Sequence, residues 1–260
     1  MMGFGAHRAW RDTPLAILGS SLLFADYCAA DWASPYHLNP RVTIATGVSD
    51  WPEDQRRNTS MVQATTTKQP VLAASFGTRP GITFDGSDDY VRAVLSPTIA
   101  VGSRVYVWIA AQWTASPAGN FAGGFTLARS TDGNGMNIMT NASAGAQYGF
   151  YNNSLSDGTD SFNNVVSIDT SRHAWETGAL STTTSKFRVD GTGYNGSFTG
   201  TLATAVHNWF GFGANLGTGS QNAKLRVHRV VVAHNPASIT DLPTAAQIVS
   251  MRELMTASLT

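Results

Sequence analysis

Carboxylate side chains are the first candidates for catalysis in this sequence. A retaining glycosidase needs two of them about 5 Å apart, one as nucleophile and one as general acid. The chain contains three glutamates, Glu53, Glu176 and Glu253. Residues two positions apart on a strand share a face, yet Glu176 has no acidic residue two or five positions away. The sequence therefore predicts no paired-carboxylate active site.

Histidine, serine and glycine patterns indicate no other reaction. None of the six histidines forms an H-x-x-x-H or H-E-x-x-H pair, and the G-x-S-x-G nucleophile motif is absent. His228 and His234 could share one face of a strand, but no third ligand accompanies them. We therefore expect a protein that is not an enzyme and that carries no cofactor.

Three carboxylates lie close together in the sequence, at Asp85, Asp88 and Asp89. Calcium prefers carboxylate oxygens, but this segment lacks the glutamate and the alternating spacing of an EF-hand loop. Aspartate is also frequent in β-turns, where its side chain bonds to the nearby backbone. We expect no metal site here, and calcium binding by this turn is the alternative.

Several aromatic and amide side chains are suited to binding sugars. Aromatic rings stack against the C–H faces of a sugar, and amide groups bond to its hydroxyls. The candidate carbohydrate-binding residues are Trp113, Tyr151, Asn152, Asn153 and Trp209. The alternative is that the rings belong to the core and that only the two asparagines are exposed.

Composition excludes several classes of partner. Charged residues are 13% of the chain, the net charge is zero, and the longest basic run is Arg56-Arg57. A nucleic-acid-binding protein needs a basic patch that neutralises phosphates, so we expect no nucleic acid partner. No apolar run reaches the roughly 18 residues of a membrane-spanning helix, so we expect no membrane contact. Cys28 is the only cysteine, and the fold therefore does not depend on an intrachain disulfide.

The candidate residues must be positioned by β-strands. From residue 15 onward, short segments rich in β-branched and aromatic residues alternate with turns such as Asp190-Gly191, a pattern typical of a sandwich or barrel. Arg104–Trp113 has few polar residues, so we expect it to be a central strand covered on both sides. Leu15–Phe24 is predicted to be a buried first strand, with a signal peptide as the alternative.

One helix is predicted near the C-terminus. Thr244 and Gln247 form a capping box, and apolar residues then follow at helical spacing, at Ile248, Met251, Leu254 and Met255. The chain shows no internal repeat and no linker. We therefore expect a single domain over residues 15–260, preceded by an N-terminal arm of residues 1–14.

Five segments carry a resemblance to a known family: Leu22–Asp26, Val48–Gln55, Gly77–Tyr90, Phe187–Gly191 and Arg226–His234. The third is the clearest, since it contains the phrase FDGSDDY. Together these segments resemble the laminin-G-like, concanavalin A-like lectin/glucanase domains that occur in bacterial surface proteins and phage virion proteins. The resemblance covers residues 15–259, although one residue is inserted after Trp51 and Arg56-Arg57 replace the Ser-Gly usual in that turn.

The resemblance implies an all-β, concanavalin A-like jelly-roll β-sandwich of two antiparallel sheets with one short C-terminal helix. Glucanases of this family place their carboxylates in an E-x-D-x-x-E pattern on one strand, and this sequence lacks that pattern. The resemblance thus favours a structural or binding protein without enzymatic activity.

The family's frequency in phage particles favours a component of the virion surface, namely a capsid decoration, fibre or tail protein. Its lectin-like domain would contact host or environmental glycans. The alternative is a secreted bacterial carbohydrate-binding adhesin module. Other virion proteins or further copies of this chain are expected partners, through an assembly arm that contains Phe4, Arg8, Trp10 and Arg11.

Overall fold

The computed structural model describes residues 13–29, 41–42, 47–51, 60–115, 122–128, 135–141, 147–152, 166–167, 169–178, 185–197, 207–214 and 222–260. Their helices and strands, in chain order, are α1 (Pro14–Leu22), β1 (Leu23–Cys28), β2 (Arg41–Val42), β3 (Val48–Trp51), β4 (Met61–Val62), β5 (Val71–Phe76), β6 (Arg79–Asp85), β7 (Val91–Ile99), β8 (Tyr106–Trp113), β9 (Gly123–Ala128), β10 (Gly135–Asn141), β11 (Gln147–Asn152), β12 (Val166–Ser167), β13 (Arg172–Gly178), β14 (Ser185–Val189), β15 (Thr192–Ser197), β16 (His207–Phe212), β17 (Lys224–Ala233) and α2 (Ala245–Ala257). A single 3-10 turn covers Thr66–Lys68.

The strands form two antiparallel sheets that pack face to face. The eight-stranded sheet has the order β15-β14-β13-β8-β17-β6-β5, and β1 pairs with the second half of β17. The nine-stranded sheet has the order β12-β11-β10-β9-β16-β7-β4-β3-β2. The predicted all-β sandwich of two antiparallel sheets is therefore confirmed.

The main core lies between the two sheets and is rich in aromatic rings. Trp113 and Trp175 pack against each other there, with ring centroids 5.7 Å apart. Phe125 contacts both Phe210 and Phe212, at 5.2 and 5.6 Å between centroids. Each large buried ring removes apolar surface from water, which is the main driving force for folding.

A second hydrophobic cluster lies on the other face of the eight-stranded sheet. It combines residues of β8, such as Tyr106 and Trp108, with Met251 and Met255 of α2 and Leu18 of α1. β8 is therefore covered on both sides, as its sequence predicts, because Val107 and Ile109 face the main core.

The C-terminal helix begins as its sequence predicts. The Thr244 hydroxyl accepts a hydrogen bond from the Gln247 backbone N–H, and the Gln247 side chain accepts one from the Thr244 backbone N–H. Of the predicted apolar stripe, Met251 and Met255 are fully buried against the sheet.

The prediction of a strand over Leu15–Phe24 is wrong, since residues 14–22 are helical and β1 begins at Leu23. Thr13 caps this helix by accepting from the Ala16 backbone N–H, and Pro14 occupies the first turn, where its missing N–H costs nothing. The helix is kinked at Gly19, whose φ is 71°. Within the described residues, no helix is long and apolar enough to cross a membrane.

Candidate functional site

The outer face of the nine-stranded sheet, meaning the face turned away from the main core, presents the candidate site. Along β7, Val91 and Ala93 are in the core, so the alternating residues Arg92 and Val94 lie on the outer face. In β16 the same alternation places Trp209 on the outer face, beside the core residue Phe210.

The strand register lines up outer-face positions from six neighbouring strands in one row. From β4 to β11 the row runs through Val62, Arg92, Gly211, Thr126, Asn137 and Tyr151. The adjacent row contains Val94, Trp209 and Ala128. Neighbouring strands lie about 4.8 Å apart, so the rows bring apolar, cationic, hydroxyl, amide and aromatic residue types within the span of an oligosaccharide.

One end of this face is open to solvent, and we call it the Trp209 patch: Val62, Arg92, Val94 and Trp209. Val94 is 60% exposed and Val62 is 47% exposed, while Arg92 and Trp209 are partly exposed. The guanidinium carbon of Arg92 lies 4.3 Å from the centroid of the Trp209 ring. This cation–π contact holds the two side chains together on the outer face.

The middle of the row is closed. Thr126 and Asn137 are buried although they lie on the outer face. Gly211, between Arg92 and Thr126, has no room for a side chain, because a Cβ there would lie 2.1 Å from the Val91 carbonyl oxygen. A ligand from solvent therefore reaches the Trp209 patch and not the centre of the row.

The structure places the five predicted sugar-binding residues in different parts of the molecule. Trp113 is fully buried in the main core, so its proposed role as an exposed platform is wrong. Its position in β8, between β13 and β17, explains the burial. Trp209 lies on the outer face as a platform requires.

Tyr151 and Asn152 lie in β11, where they pair with Asn137 and Met136. Asn153 and the arm residues Phe4, Arg8, Trp10 and Arg11 lie outside the described residues. The contribution of Arg92 was missed in the sequence, where the only signal is its alternation with core residues in Val91–Leu95.

The three aspartates of the FDGSDDY segment do come together, and one oxygen from each lies within 4.8 Å of the others. Two of them bond to the turn itself: Asp85 Oδ1 accepts from the Ser87 N–H at 2.7 Å, and Asp89 Oδ2 accepts from the Asp85 N–H at 2.9 Å. Burial raises the pKa of Asp89 to about 6, and the charges of Asp85 and Asp88 add to this effect. These contacts stabilise a tight turn, and calcium binding stays an alternative.

A second ionic cluster lies beneath α2, on the eight-stranded sheet. Glu176 is 1% exposed, accepts a hydrogen bond from the Tyr106 hydroxyl at 2.8 Å, and is bound by Nε and Nη2 of Arg252. Burial and the neighbouring Glu176 carboxylate raise the pKa of Tyr106 well above its usual value. Some glycosidases use a tyrosine nucleophile, but this tyrosine is fully buried, so the cluster attaches the helix to the sheet and is closed to substrate.

His173 bridges two carboxylates at the beginning of β13. Its Nδ1 lies 2.6 Å from Asp190 and its Nε2 lies 2.9 Å from Asp169. Carboxylates only accept hydrogen bonds, so both ring nitrogens donate and the imidazolium form is favoured. The hydrogen bond to Asp190, followed by that to Asp169, raises the pKa of His173.

Comparisons with known proteins agree with the fold. No protein-family model and no curated protein matches the sequence. A structure of Trypanosoma rangeli sialidase in complex with sialic acid matches with a TM-score of 0.54 at 14% identity, over 98% of this chain and 38% of the sialidase. A GH54 α-L-arabinofuranosidase soaked with a cyclic sulfate inhibitor matches with a TM-score of 0.55 at 12% identity, over 82% of this chain and 51% of the enzyme.

This chain thus spans about half or less of the length of the structures that it matches. At such low identity the likeness shows the fold alone, a β-sandwich. The prediction of a phage virion component is contradicted, because the sialidase and the arabinofuranosidase that this chain resembles in fold are glycosidases.

Proposed function

We propose that this domain binds carbohydrate at the Trp209 patch and does not hydrolyse it. The observation that carries the proposal is a partly exposed tryptophan on an open sheet face, in contact with the Arg92 guanidinium and flanked by the exposed Val94. The negative face of an indole ring attracts the slightly positive C–H groups of a sugar. Val62 and Val94 extend the apolar surface on which a sugar ring could rest.

The positions of the acidic residues support binding without hydrolysis. Hydrolysis needs two carboxyl groups on either side of the scissile bond. Among the described residues, Asp50 is the acid in this row, and it pairs across the sheet with Val62. Glu176 is buried beneath α2, on the opposite side of the sandwich. Asp85, Asp88 and Asp89 belong to one short turn and cannot flank a sugar ring from both sides.

The proposal is tested by screening the whole chain against immobilised glycans, followed by titration calorimetry with the best ligand. Trp209→Ala is expected to reduce the affinity at least about tenfold, as loss of one stacking platform does. Val94→Ala should have a smaller effect in the same direction. Val249→Ala is the matched control, because Val249 is 45% exposed on α2, far from the patch.

Two results would overturn the proposal. One is the absence of any glycan bound at high protein concentration. The other is an affinity that Trp209→Ala and Val249→Ala change equally. Release of reducing ends from the bound glycan, measured over a day, would contradict the part of the proposal that excludes hydrolysis.

A further inference from the structure

Arg92 differs from two other described arginines, Arg229 and Arg252, in what its guanidinium contacts. Arg229 binds Asp26 through Nε and Nη2, at 2.9 and 2.6 Å, and Arg252 binds Glu176 in the same two-pronged manner. Arg92 instead lies over the ring of Trp209. Among the described residues, no carboxylate forms an ion pair with Arg92.

The surroundings of Arg92 leave its N–H groups available. Its cross-strand neighbours on the two sides are Val62 and Gly211, neither of which carries a charge or a hydrogen-bonding side chain. The acidic residue of this row, Asp50, lies one strand beyond Val62, about 10 Å from Arg92 at the usual strand spacing. The contact with Trp209 places the guanidinium carbon over the ring and uses none of the N–H donors in a hydrogen bond.

We infer that the sugar bound at the Trp209 patch carries an oxyanion, and that Arg92 binds this group. The inference rests on the proposed function and names its ligand class. The planar guanidinium of an arginine matches a planar carboxylate, with two parallel N–H···O bonds. Arg92 occupies one face of the indole ring, so the sugar ring itself would pack against Val94 and the remaining surface of Trp209. A carboxylate is favoured over a sulfate, because its carbon and both oxygens can lie in the plane of the fork, whereas a tetrahedral sulfate keeps two oxygens outside that plane.

The test compares three related ligands by calorimetry: oligogalacturonate, which carries carboxylates, a sulfated galactan, and a neutral galactan. Wild-type protein is expected to prefer oligogalacturonate, with an affinity that falls as salt is raised from 50 to 500 mM. Arg92→Gln should reduce that affinity by roughly 10- to 100-fold, the usual loss for a charge-assisted hydrogen bond. Arg92→Lys should recover only part of it, because an ammonium keeps the charge but lacks the fork.

Lys224→Gln is the control for the change of charge, since Lys224 is exposed and belongs to the other sheet. Melting curves check that Arg92→Gln leaves the fold intact. Neutral galactan bound as tightly as oligogalacturonate, or an equal loss with Arg92→Gln and Lys224→Gln, would overturn the oxyanion inference while leaving carbohydrate binding in place. A preference for the sulfated ligand would keep the oxyanion and reject the carboxylate. No binding of any of the three, together with an empty glycan screen, would reject both proposals.

Discussion

On the eight-stranded sheet, Trp108 lies beneath the helices with no exposed surface, and the Tyr106 ring stacks on it at 4.3 Å. On the nine-stranded sheet, Trp209 occupies an equivalent outward position but is partly exposed and stacks with Arg92. Both outer faces therefore combine a tryptophan with a neighbouring arginine-containing cluster. One face is covered by the protein's own helices, and the other is open at the Trp209 patch.

The difference indicates that the helix-covered face of the sandwich serves stability and that the open face is available for binding. Arg252 finds its carboxylate partner, Glu176, within the protein, so that pair fastens α2 to the sheet. Arg92 has no such partner among the described residues. A cation on an open face that has no carboxylate partner among the described residues can bind a ligand, whereas Arg252 is occupied by its ion pair with Glu176.

The largest expected effect comes from comparing the two tryptophans. Trp108→Ala should lower the free energy of unfolding by about 3–5 kcal/mol, because it leaves a cavity in a closely packed cluster. Trp209→Ala should lower it by less than about 1 kcal/mol, since its ring is partly solvated. Urea denaturation of both variants measures the contrast. Equal losses would show that the Trp209 patch is a structural surface.

The next effect concerns the ion pair under α2. Arg252→Met should lower the free energy of unfolding by about 3 kcal/mol. This is the lower end of the range for breaking a buried ion pair, because the Arg252 side chain is 21% exposed. Adding Glu176→Gln to this variant should restore part of the loss, since a neutral amide is less costly to bury than an unpaired carboxylate. Denaturant titration of the single and double variants provides the measurement. A double variant less stable than Arg252→Met would contradict this explanation.

Much of the closed side of the molecule could be predicted from the sequence. The FDGSDDY turn, the central β8 and the capped C-terminal helix all depend on local patterns, such as the capping box at Thr244. The segment 15–24 could not be assigned in this way, because an unbroken apolar run fits a buried helix as well as a buried strand. Thr13 and Pro14 were the local signals for the helix.

The open face was harder to predict, because it depends on long-range pairing. Arg92 and Trp209 are far apart in the sequence and meet only because β7 and β16 pair. Trp113 and Trp209 are similar candidates in the sequence, yet one is fully buried and the other partly exposed. Strand order and register decide between them, and neither is contained in a local pattern.

The turn that links the two sheets, between β6 and β7, allows a test through pH. The pKa of Asp89 rises from 3.8 to about 6 on folding, so the native state holds the proton more tightly and stability falls as pH rises through this interval. At pH 7 the full penalty is present, and Asp89→Asn should stabilise the protein by about 1–2 kcal/mol. At pH 4 the difference should nearly vanish.

Thermal melting of both proteins at pH 4 and pH 7 measures this effect, with Asp88→Asn as a control in the same turn. Repeating the measurement with calcium chloride examines the alternative role of the turn. If calcium raises the melting temperature of the wild-type protein above that of Asp89→Asn at pH 7, the order of the two stabilities is the reverse of the one expected. That result would favour a calcium site.

The smallest expected effect concerns His173, at the beginning of β13 in the eight-stranded sheet. Its raised pKa means that the imidazolium contributes stability in full below the ordinary value of 6.5 and loses it as pH rises through the higher folded value. His173→Gln should therefore destabilise the protein by about 1 kcal/mol at pH 6, a modest amount because both aspartates are about half exposed. The difference from wild type should shrink by pH 9.

Melting curves between pH 6 and pH 9 measure this difference in stability. A difference that grows with pH would show that His173 acts as a neutral ring. Because His173 belongs to the eight-stranded sheet and the Trp209 patch to the nine-stranded one, glycan affinity should stay unchanged in this variant.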